Sequence, residues 1–292
     1  MSHLPAPLDI ANNLPQEILN LVVYHARFDH NSLLNLCLTS PFFHHEAQRH
    51  LYYELRIAND GRPAIGPSRA LTVDVAKAIQ LFSTLTQYNT ALARHVQILY
   101  HCVIPQGACS EYWTLMNKSL ILMYNLKKLT LYRRIPPCIF EGCTSFQLRN
   151  IECSHPCVDP SFRTAFLDFL ATQPNIKSLF MAWDPDIPFP TTHCRNLTSL
   201  AGDRCTIEQV LPGREFTIKK LTWVPAREED PGVNIIASRL SRIHVLSLGG
   251  YHVRPNLISL VPYLRSLQIL RLIGVAPNVC HFRLLCNLPT TH

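Results

Sequence analysis

The chain has 292 residues, of which 47% are hydrophobic and 16% are charged, and its formal net charge is +7. This composition is typical of a globular protein that is long enough to bury a sizeable core, as one long domain or two. No apolar run approaches the roughly 18 residues that a membrane-spanning helix needs, so we expect no membrane partner.

The cysteines and the first residues bear on where the protein works. There are 11 cysteines, an odd number, and this favours reduced thiols inside a cell. The opening stretch, MSHLPAPLDIANN, lacks the basic segment and the apolar run of a secretory signal. We therefore expect a cytoplasmic or nuclear protein.

Three short helices are predicted in the first part of the chain. Pro15 suits a first helical position, where its missing N–H would have no partner within the helix. Asp29 or Asn31 can cap a second helix, and Ser40 followed by Pro41 starts a third. About 40 residues are too few to bury every apolar side chain of such helices. The uncovered remainder is a candidate docking face.

The helical segment contains a characteristic set of residues. They are Leu14, Pro15, Glu17, Ile18, Leu19, Leu33, Leu34, Cys37, Leu38, Ser40, Phe42 and Phe43, with the run 47–52 and Leu55 after them. This set resembles the F-box, in the form common in fungal F-box proteins. The resemblance implies that the helices bind a Skp-type adaptor and, through it, the cullin scaffold of a ubiquitin ligase. The adaptor-binding residues that it implies are Leu14, Pro15, Ile18, Leu19, Leu33, Leu34, Cys37, Leu38 and Phe42.

Beyond residue 70 the chain repeats a short hydrophobic pattern. An apolar residue is followed by two variable ones, an apolar one, a variable one and an apolar one, as in the run from Leu126 to Leu131. The middle apolar residues of the copies, which we call the anchors, are Leu99, Leu129, Ile151, Leu179, Leu200, Leu221, Leu246 and Leu270. Their spacing is close to the roughly 20–29 residues of a leucine-rich repeat.

Helix signals lie between the copies. Ser110 can cap one helix, and Asp159 before Pro160 opens another. Alternating strands and helices predict a parallel-stranded solenoid, in which each unit is stabilised by stacking on its neighbours. The chain thus resembles leucine-rich-repeat F-box proteins over most of its length.

The predicted fold class is α/β, in three parts. Residues 1–60 form an F-box-like segment of three helices, and residues 61–92 form a linker and a capping helix. Residues 93–292 form an irregular leucine-rich-repeat solenoid with short parallel strands and outer helices.

The predicted strands also indicate a second binding surface. Successive side chains of a strand point to opposite sides of the sheet, so residues beside the anchors line its uncovered face. Aromatic and arginine side chains often anchor protein interfaces. On this basis the candidate target-binding residues are Lys128, Tyr132, Phe180, Lys220 and Arg271.

Motifs of catalysis and cofactor binding are missing from the sequence. There is no phosphate-binding GxxxxGK[ST] or GxGxxG segment, no GxSxG nucleophile turn and no HExxH metal helix. We therefore expect a protein that is not an enzyme and that binds no cofactor.

The best candidate metal ligands are four cysteines with one histidine among them. They are Cys138, Cys143, Cys153, His155 and Cys157. Zinc favours thiolate and imidazole ligands, but the CxxC spacing of common zinc sites is missing. Core packing in a repeat strand explains Cys153, so we expect no metal.

The basic residues look scattered along the sequence. Lys127 with Lys128 and Lys219 with Lys220 form pairs rather than a run. A nucleic-acid footprint gathers its Lys and Arg residues on one face or helix, so we expect no nucleic-acid partner. A solvated surface with modest attraction to acidic partners is the simpler interpretation.

Two functions remain open from the sequence. In the first, the protein is the substrate-recognition subunit of a Skp–cullin–F-box type ubiquitin ligase, and its repeat surface holds an unknown target protein. In the second, it is a leucine-rich-repeat interaction scaffold unrelated to ubiquitin, whose first helices only cap the solenoid.

Overall fold

The computed structural model describes residues 15–58, 71–102, 110–132, 135–156, 159–183, 187–224, 238–249, 260–273 and 283–284. Its first part consists of three helices, α1 (Gln16–Ala26), α2 (His30–Cys37) and α3 (Pro41–Leu51). Two of the predicted helix starts are confirmed. The Asp29 side chain accepts a hydrogen bond from the Asn31 N–H, and Ser40 accepts one from the Phe43 N–H.

The rest of the described chain is built on one sheet. Its strands are β1 (Glu54–Ile57), β2 (Leu71–Val73), β3 (Ile98–His101), β4 (Lys128–Leu131), β5 (Asn150–Pro156), β6 (Ser178–Ala182), β7 (Ser199–Gly202), β8 (Lys220–Trp223), β9 (Val245–Gly249), β10 (Ile269–Ile273) and β11 (Arg283–Leu284).

The order of the strands in space nearly follows their order along the chain. β2 lies at one edge beside β1, and from β1 the sheet continues through β3 and β4 in sequence to β11. The first ten strands pair in parallel, and only β11 runs antiparallel to its neighbour β10 among the residues described. The predicted α/β class is confirmed, and such a succession of parallel strands is compatible with a solenoid-like arrangement.

The predicted anchors occupy one line across the sheet. Each anchor pairs with the anchor of the next strand, for example Leu99 with Leu129 and Leu200 with Leu221. Leu55 and Leu71 extend the same line to the other edge. The anchors from Leu99 to Leu246 are buried, whereas Leu270 is half-buried. The repeated hydrophobic pattern therefore predicted the register of the strands.

Helices cover the face of the sheet that carries the anchors. They are α4 (Val75–Ser83), α5 (Ser110–Leu122), α6 (Pro160–Ala171) and α7 (Arg204–Val210). Their buried side chains, among them Phe82, Met116, Phe166 and Val210, belong to the same hydrophobic core as the anchors. The repeat is irregular, because a 3₁₀ turn at Pro137–Phe140 stands between β4 and β5 instead of an α-helix.

The three N-terminal helices have a small core of their own. Val23, Leu33, Ala47 and Leu51 form it, separately from the large core under the sheet. Tyr52 packs against both cores. The sheet begins at β1, inside the segment 1–60 that the sequence assigns to the helical unit, and by packing this strand belongs to the large core.

Candidate functional site

The N-terminal helices leave a part of their apolar surface uncovered. Ile18, Leu21 and Val22 lie on one side of α1. Leu34 lies on α2, and Leu38, directly after the last residue of α2, lies on the same side of it. We call these five residues the apolar patch. The exposed fraction of these five residues ranges from 42% to 85%, and it is highest for Leu38. Each of the two helices thus presents apolar side chains to solvent, and exposed apolar surface often marks an interaction site.

The predicted adaptor-binding residues that the structure describes fall into three groups, exposed, buried and half-buried. Ile18, Leu34 and Leu38 are exposed, and Pro15 beside α1 is exposed as well. Leu19 and Leu33 are buried. The remaining three are Cys37 and Phe42, which are half-buried, and Leu14, which lies outside the described residues.

The division follows from helix geometry. Residues that are adjacent in the sequence of a helix point in directions about 100° apart. Of two adjacent apolar residues at the boundary of a buried face, one is therefore buried and the other is exposed. Leu19 and Val23 are thus buried, Val23 as a member of the small core, while Ile18 and Val22 are exposed. Leu21 and Val22 belong to the apolar patch but not to the predicted adaptor-binding set, because the sequence pattern did not show which side of the apolar stripe would be covered.

A groove continues from the apolar patch at the turn between α2 and α3. It is open, has a volume of about 450 Å³ and is lined by Cys37, Leu38, Thr39, Ser40, Pro41, His44 and His45. The ring Nδ1 of His44 lies 3.1 Å from the carbonyl oxygen of Cys37, which ties the start of α3 to the end of α2. Burial raises the pKa of the Cys37 thiol, so this group is a poor nucleophile.

A polar cluster lies on the face of the sheet opposite the anchors, at β3, β4 and β5. The Lys128 Nζ lies 2.9 Å from Glu152 Oε1 and 5.0 Å from the centre of the Tyr100 ring. The Thr130 hydroxyl donates to Glu152 Oε2 at 3.2 Å. Burial lowers the pKa of Lys128, but the hydrogen bond and charge of Glu152 outweigh it, and the net direction is upward.

Three of the five predicted target-binding residues gather around this cluster. Lys128 belongs to it, and Tyr132 follows β4, where burial and then the charge of Glu152 raise the pKa of its hydroxyl. Phe180 is half-buried on β6, and its Cα pairs with that of Glu152.

The other two predicted residues lie apart from the cluster. Lys220 is exposed on β8, two strands beyond β6. Arg271 is exposed on β10, four strands beyond β6. At about 4.8 Å between neighbouring strands, this places Arg271 about 19 Å from Phe180. A single small contact therefore cannot involve all five.

Tyr100 and Glu152 are members of the cluster that the sequence reasoning missed. Both occupy the same row across the sheet as Thr130 and Phe180. The signal that would have found them is their position, directly after an anchor in a repeat copy.

Of the five candidate metal ligands, the structure describes the side chains of Cys138, Cys143 and Cys153, and these three do not gather into a metal site. Cys143 is buried, its thiol donates to the Ile139 carbonyl at 3.4 Å, and burial raises the pKa of Cys143 to about 12. Cys138 is exposed and Cys153 is buried in the sheet core. Cys157 and the side chain of His155 lie outside the described part. Within the described part, no three or more His, Cys, Asp or Glu side chains gather in a way that could hold a metal ion.

Comparison with known proteins assigns no family to the chain. No protein-family model matches it, and no curated protein matches it either. Among the helices that the structure describes, none is both long and apolar enough to span a membrane.

Proposed function

We propose that the protein is the substrate-recognition subunit of a Skp–cullin–F-box type ubiquitin ligase. The observation that carries this proposal is the apolar patch on a helical unit that already has its own core. A unit that has its own core, yet keeps five apolar side chains in solvent, has a surface suited to a partner protein. The resemblance of these helices to the F-box names the partner as a Skp-type adaptor.

The two surfaces divide the work in this proposal. The helical unit and its apolar patch hold the adaptor, and through it the cullin scaffold. The face of the sheet opposite the anchors holds the target. Catalysis then results from proximity, because tethering raises the effective concentration of a target lysine near the conjugating enzyme. No residue of this chain performs the chemical step.

The polar cluster on the sheet supports the second half of the proposal. Tyr132 and Phe180 supply two aromatic rings, a side-chain type that is enriched at the centres of protein interfaces, and Lys128 adds a cation beside them. Lys128 is held by Glu152 and by the Tyr100 ring. Fixing the side chain before binding lowers the conformational entropy that a contact with the target would cost.

An adaptor-binding measurement tests the proposal. Purified full-length protein and a Skp-type adaptor are mixed, and the dissociation constant is measured by calorimetry. We expect Leu34→Asp to weaken binding by at least about tenfold, because a charge replaces an exposed apolar contact at the interface. Leu34 is 54% exposed, so the variant keeps its small core.

Val261→Asp is the matched control, since Val261 is 59% exposed at the other end of the sheet. This control should bind the adaptor as the unchanged protein does. Equal binding by the Leu34 and Val261 variants would contradict the proposal, and so would the absence of binding by the unchanged protein.

A second candidate function is a repeat scaffold whose first helices serve only as a cap. The contact of Tyr52 with both cores favours it, because a cap must be attached to the sheet that it covers. A pure cap, however, would turn its apolar residues toward the sheet, and the apolar patch faces solvent. The adaptor measurement separates the two candidates.

A further inference from the structure

The strands of the sheet begin along a row of residues, several of them basic, and the sequence alone does not show that these residues lie side by side. The row consists of the residues immediately before successive strands from β3 to β10, and we call it the leading row. Its members are Gln97, Lys127, Arg149, Lys177, Thr198, Lys219, His244 and Gln268.

Backbone hydrogen bonds fix the members of the row side by side. The Arg149 N–H donates to the Lys127 carbonyl at 2.8 Å, and the Lys177 N–H donates to the Arg149 carbonyl at 2.8 Å. The same bond continues through Thr198 and Lys219 to His244. Because these bonds join neighbouring strands, successive members are about 4.8 Å apart.

The charges of the row are open to solvent. Lys127, Arg149 and Lys177 are exposed, and Lys219 is half-buried. None of these four forms an ion pair with a carboxylate in the described ranges. The Lys127 Nζ donates to the side-chain Oε1 of Gln97 at 2.8 Å. Because this amide is neutral, the hydrogen bond leaves the charge of Lys127 unneutralised.

The carboxylates near the leading row do not neutralise it. Glu152 is engaged by Lys128. Glu215, in the turn before β8, lies 4.0 Å from Arg239. The leading row itself contains no acidic residue. Its Lys127, Arg149 and Lys177 are consecutive, and Lys219 follows after the neutral Thr198, so this part of the row is positively charged.

We propose that the leading row binds an acidic, extended segment of a protein target. The proposal rests on the substrate-receptor function proposed above, which makes the ligand a protein. From Lys127 to His244 the row crosses five strand spacings, or about 24 Å. An extended peptide of about seven residues has this length. Glutamate, aspartate or phosphorylated side chains would supply the complementary charge.

The aromatic residues near the leading row favour a peptide over a nucleic acid. Binding of single strands usually combines cations with open aromatic faces on which bases stack. Tyr124 and Phe216 are exposed in the turns before β4 and β8. A guanidinium already covers a face of each ring: Arg94 lies 5.8 Å from the centre of Tyr124, and Arg242 lies 4.0 Å from that of Phe216.

Binding of a labelled acidic peptide tests the proposal. The probe is a fluorescein-labelled peptide of about eight glutamates, and its anisotropy is measured with the full chain and no adaptor. We expect binding that weakens as salt is added, because exposed charges are screened over about 8–10 Å at physiological ionic strength. Arg149→Glu combined with Lys177→Glu should weaken it by at least about tenfold.

The matched control carries the same change of net charge elsewhere. Lys77→Glu combined with Lys118→Glu alters exposed lysines on α4 and α5, and should change the affinity by less than about twofold. Equal loss in both double variants would show that net charge alone attracts the peptide, and would overturn the proposal.

Two further results would also overturn it. One is the absence of peptide binding at low salt. The other is tighter binding of a labelled single-stranded oligonucleotide that responds to the same variants, which would make the row a nucleic-acid site. Because the adaptor is left out of this assay, the two proposals fail separately. If the unchanged protein binds the adaptor but not the peptide, the leading row alone is refuted. If the unchanged protein binds the peptide but not the adaptor, the receptor function alone is refuted.

Discussion

Leu33 and Leu34 are neighbours in the sequence with opposite environments. Leu33 is 1% exposed and belongs to the small core of the N-terminal helices, whereas Leu34 is 54% exposed. The resemblance to the F-box places both in the predicted adaptor-binding set, because two adjacent leucines look alike in a sequence. The contrast separates residues that hold the helical unit together from residues that are free to bind.

This contrast gives a prediction of stability. Leu33→Ala should lower the free energy of unfolding of the helical unit by about 3 kcal/mol, because it leaves a cavity in a core of few residues. Leu34→Ala should change it by about 0.5 kcal/mol or less, since its side chain loses little burial. Thermal unfolding followed by circular dichroism measures both. Similar losses in the two variants would contradict the assignment.

His101 is a titratable group inside the large core. It lies on β3, and its Nε2 is 2.9 Å from the Tyr112 hydroxyl, while its Nδ1 is buried without a hydrogen-bond partner among the described atoms. Burial lowers the pKa of His101 from 6.5 to about 4. The folded protein therefore holds this ring neutral over a pH range in which the unfolded chain protonates it.

The sign of the resulting pH dependence follows from the lowered pKa. The stabilising contribution is fully present above pH 6.5 and is lost as the pH falls toward 4. The free energy of unfolding should fall by about 3 kcal/mol across this window on account of His101. Urea unfolding at the two ends of the window, compared with a His101→Gln variant, measures the difference. An equal pH dependence in both proteins would contradict the prediction.

At the scale of the element, the junction between β7 and α7 depends on a close approach. A Cβ atom at Gly202 would lie 2.7 Å from the side chain of Thr206 and 2.8 Å from the Met181 carbonyl oxygen. The Thr206 hydroxyl donates to that carbonyl at 3.1 Å and accepts from the Trp183 N–H at 2.9 Å. Because residue 202 is a glycine, Thr206 can approach closely enough to connect β6, β7 and α7.

Gly202→Ala should destabilise the sheet by about 1–3 kcal/mol, because the added methyl must displace backbone and a hydrogen-bonded side chain. Gly213→Ala is an informative comparison, since nothing lies within 4 Å of its Cβ position and its φ is +76°. Any loss of stability in the Gly213 variant is due to backbone strain alone, because no atom crowds the added methyl group. Urea denaturation gives both values, and a neutral Gly202→Ala would show that the junction can relax.

The elements differ in how far the sequence predicts them. The anchors and the starts of α2, α3 and α6 were predictable, because periodic leucines and local capping residues determine them. α7 was not predicted, since it is short and its residues Arg204–Val210 carry a weak helical pattern. The leading row was missed because its cations are one repeat apart in sequence. Only the register of the sheet places Lys127, Arg149 and Lys177 together.

At the scale of the whole molecule, two hydrophobic cores of unequal size meet at Tyr52. Regions with few buried apolar contacts open at lower free energy than a large core. We therefore expect amide hydrogen exchange to be faster in α1, α2 and α3 than in β4, β5 and β6. Native-state exchange followed by mass spectrometry measures this directly.

The same exchange experiment on a Leu33→Ala variant measures how far the two cores are coupled. If the helical unit serves as an independent docking module, this variant should raise exchange in α1–α3 and leave β4–β6 unchanged. Leu179→Ala, in the large core, is the control and should raise exchange in the sheet. If the helices act only as a cap, the Leu33 variant should raise exchange at the β1 and β2 edge as well, because the loss of a cap exposes the apolar end beneath it.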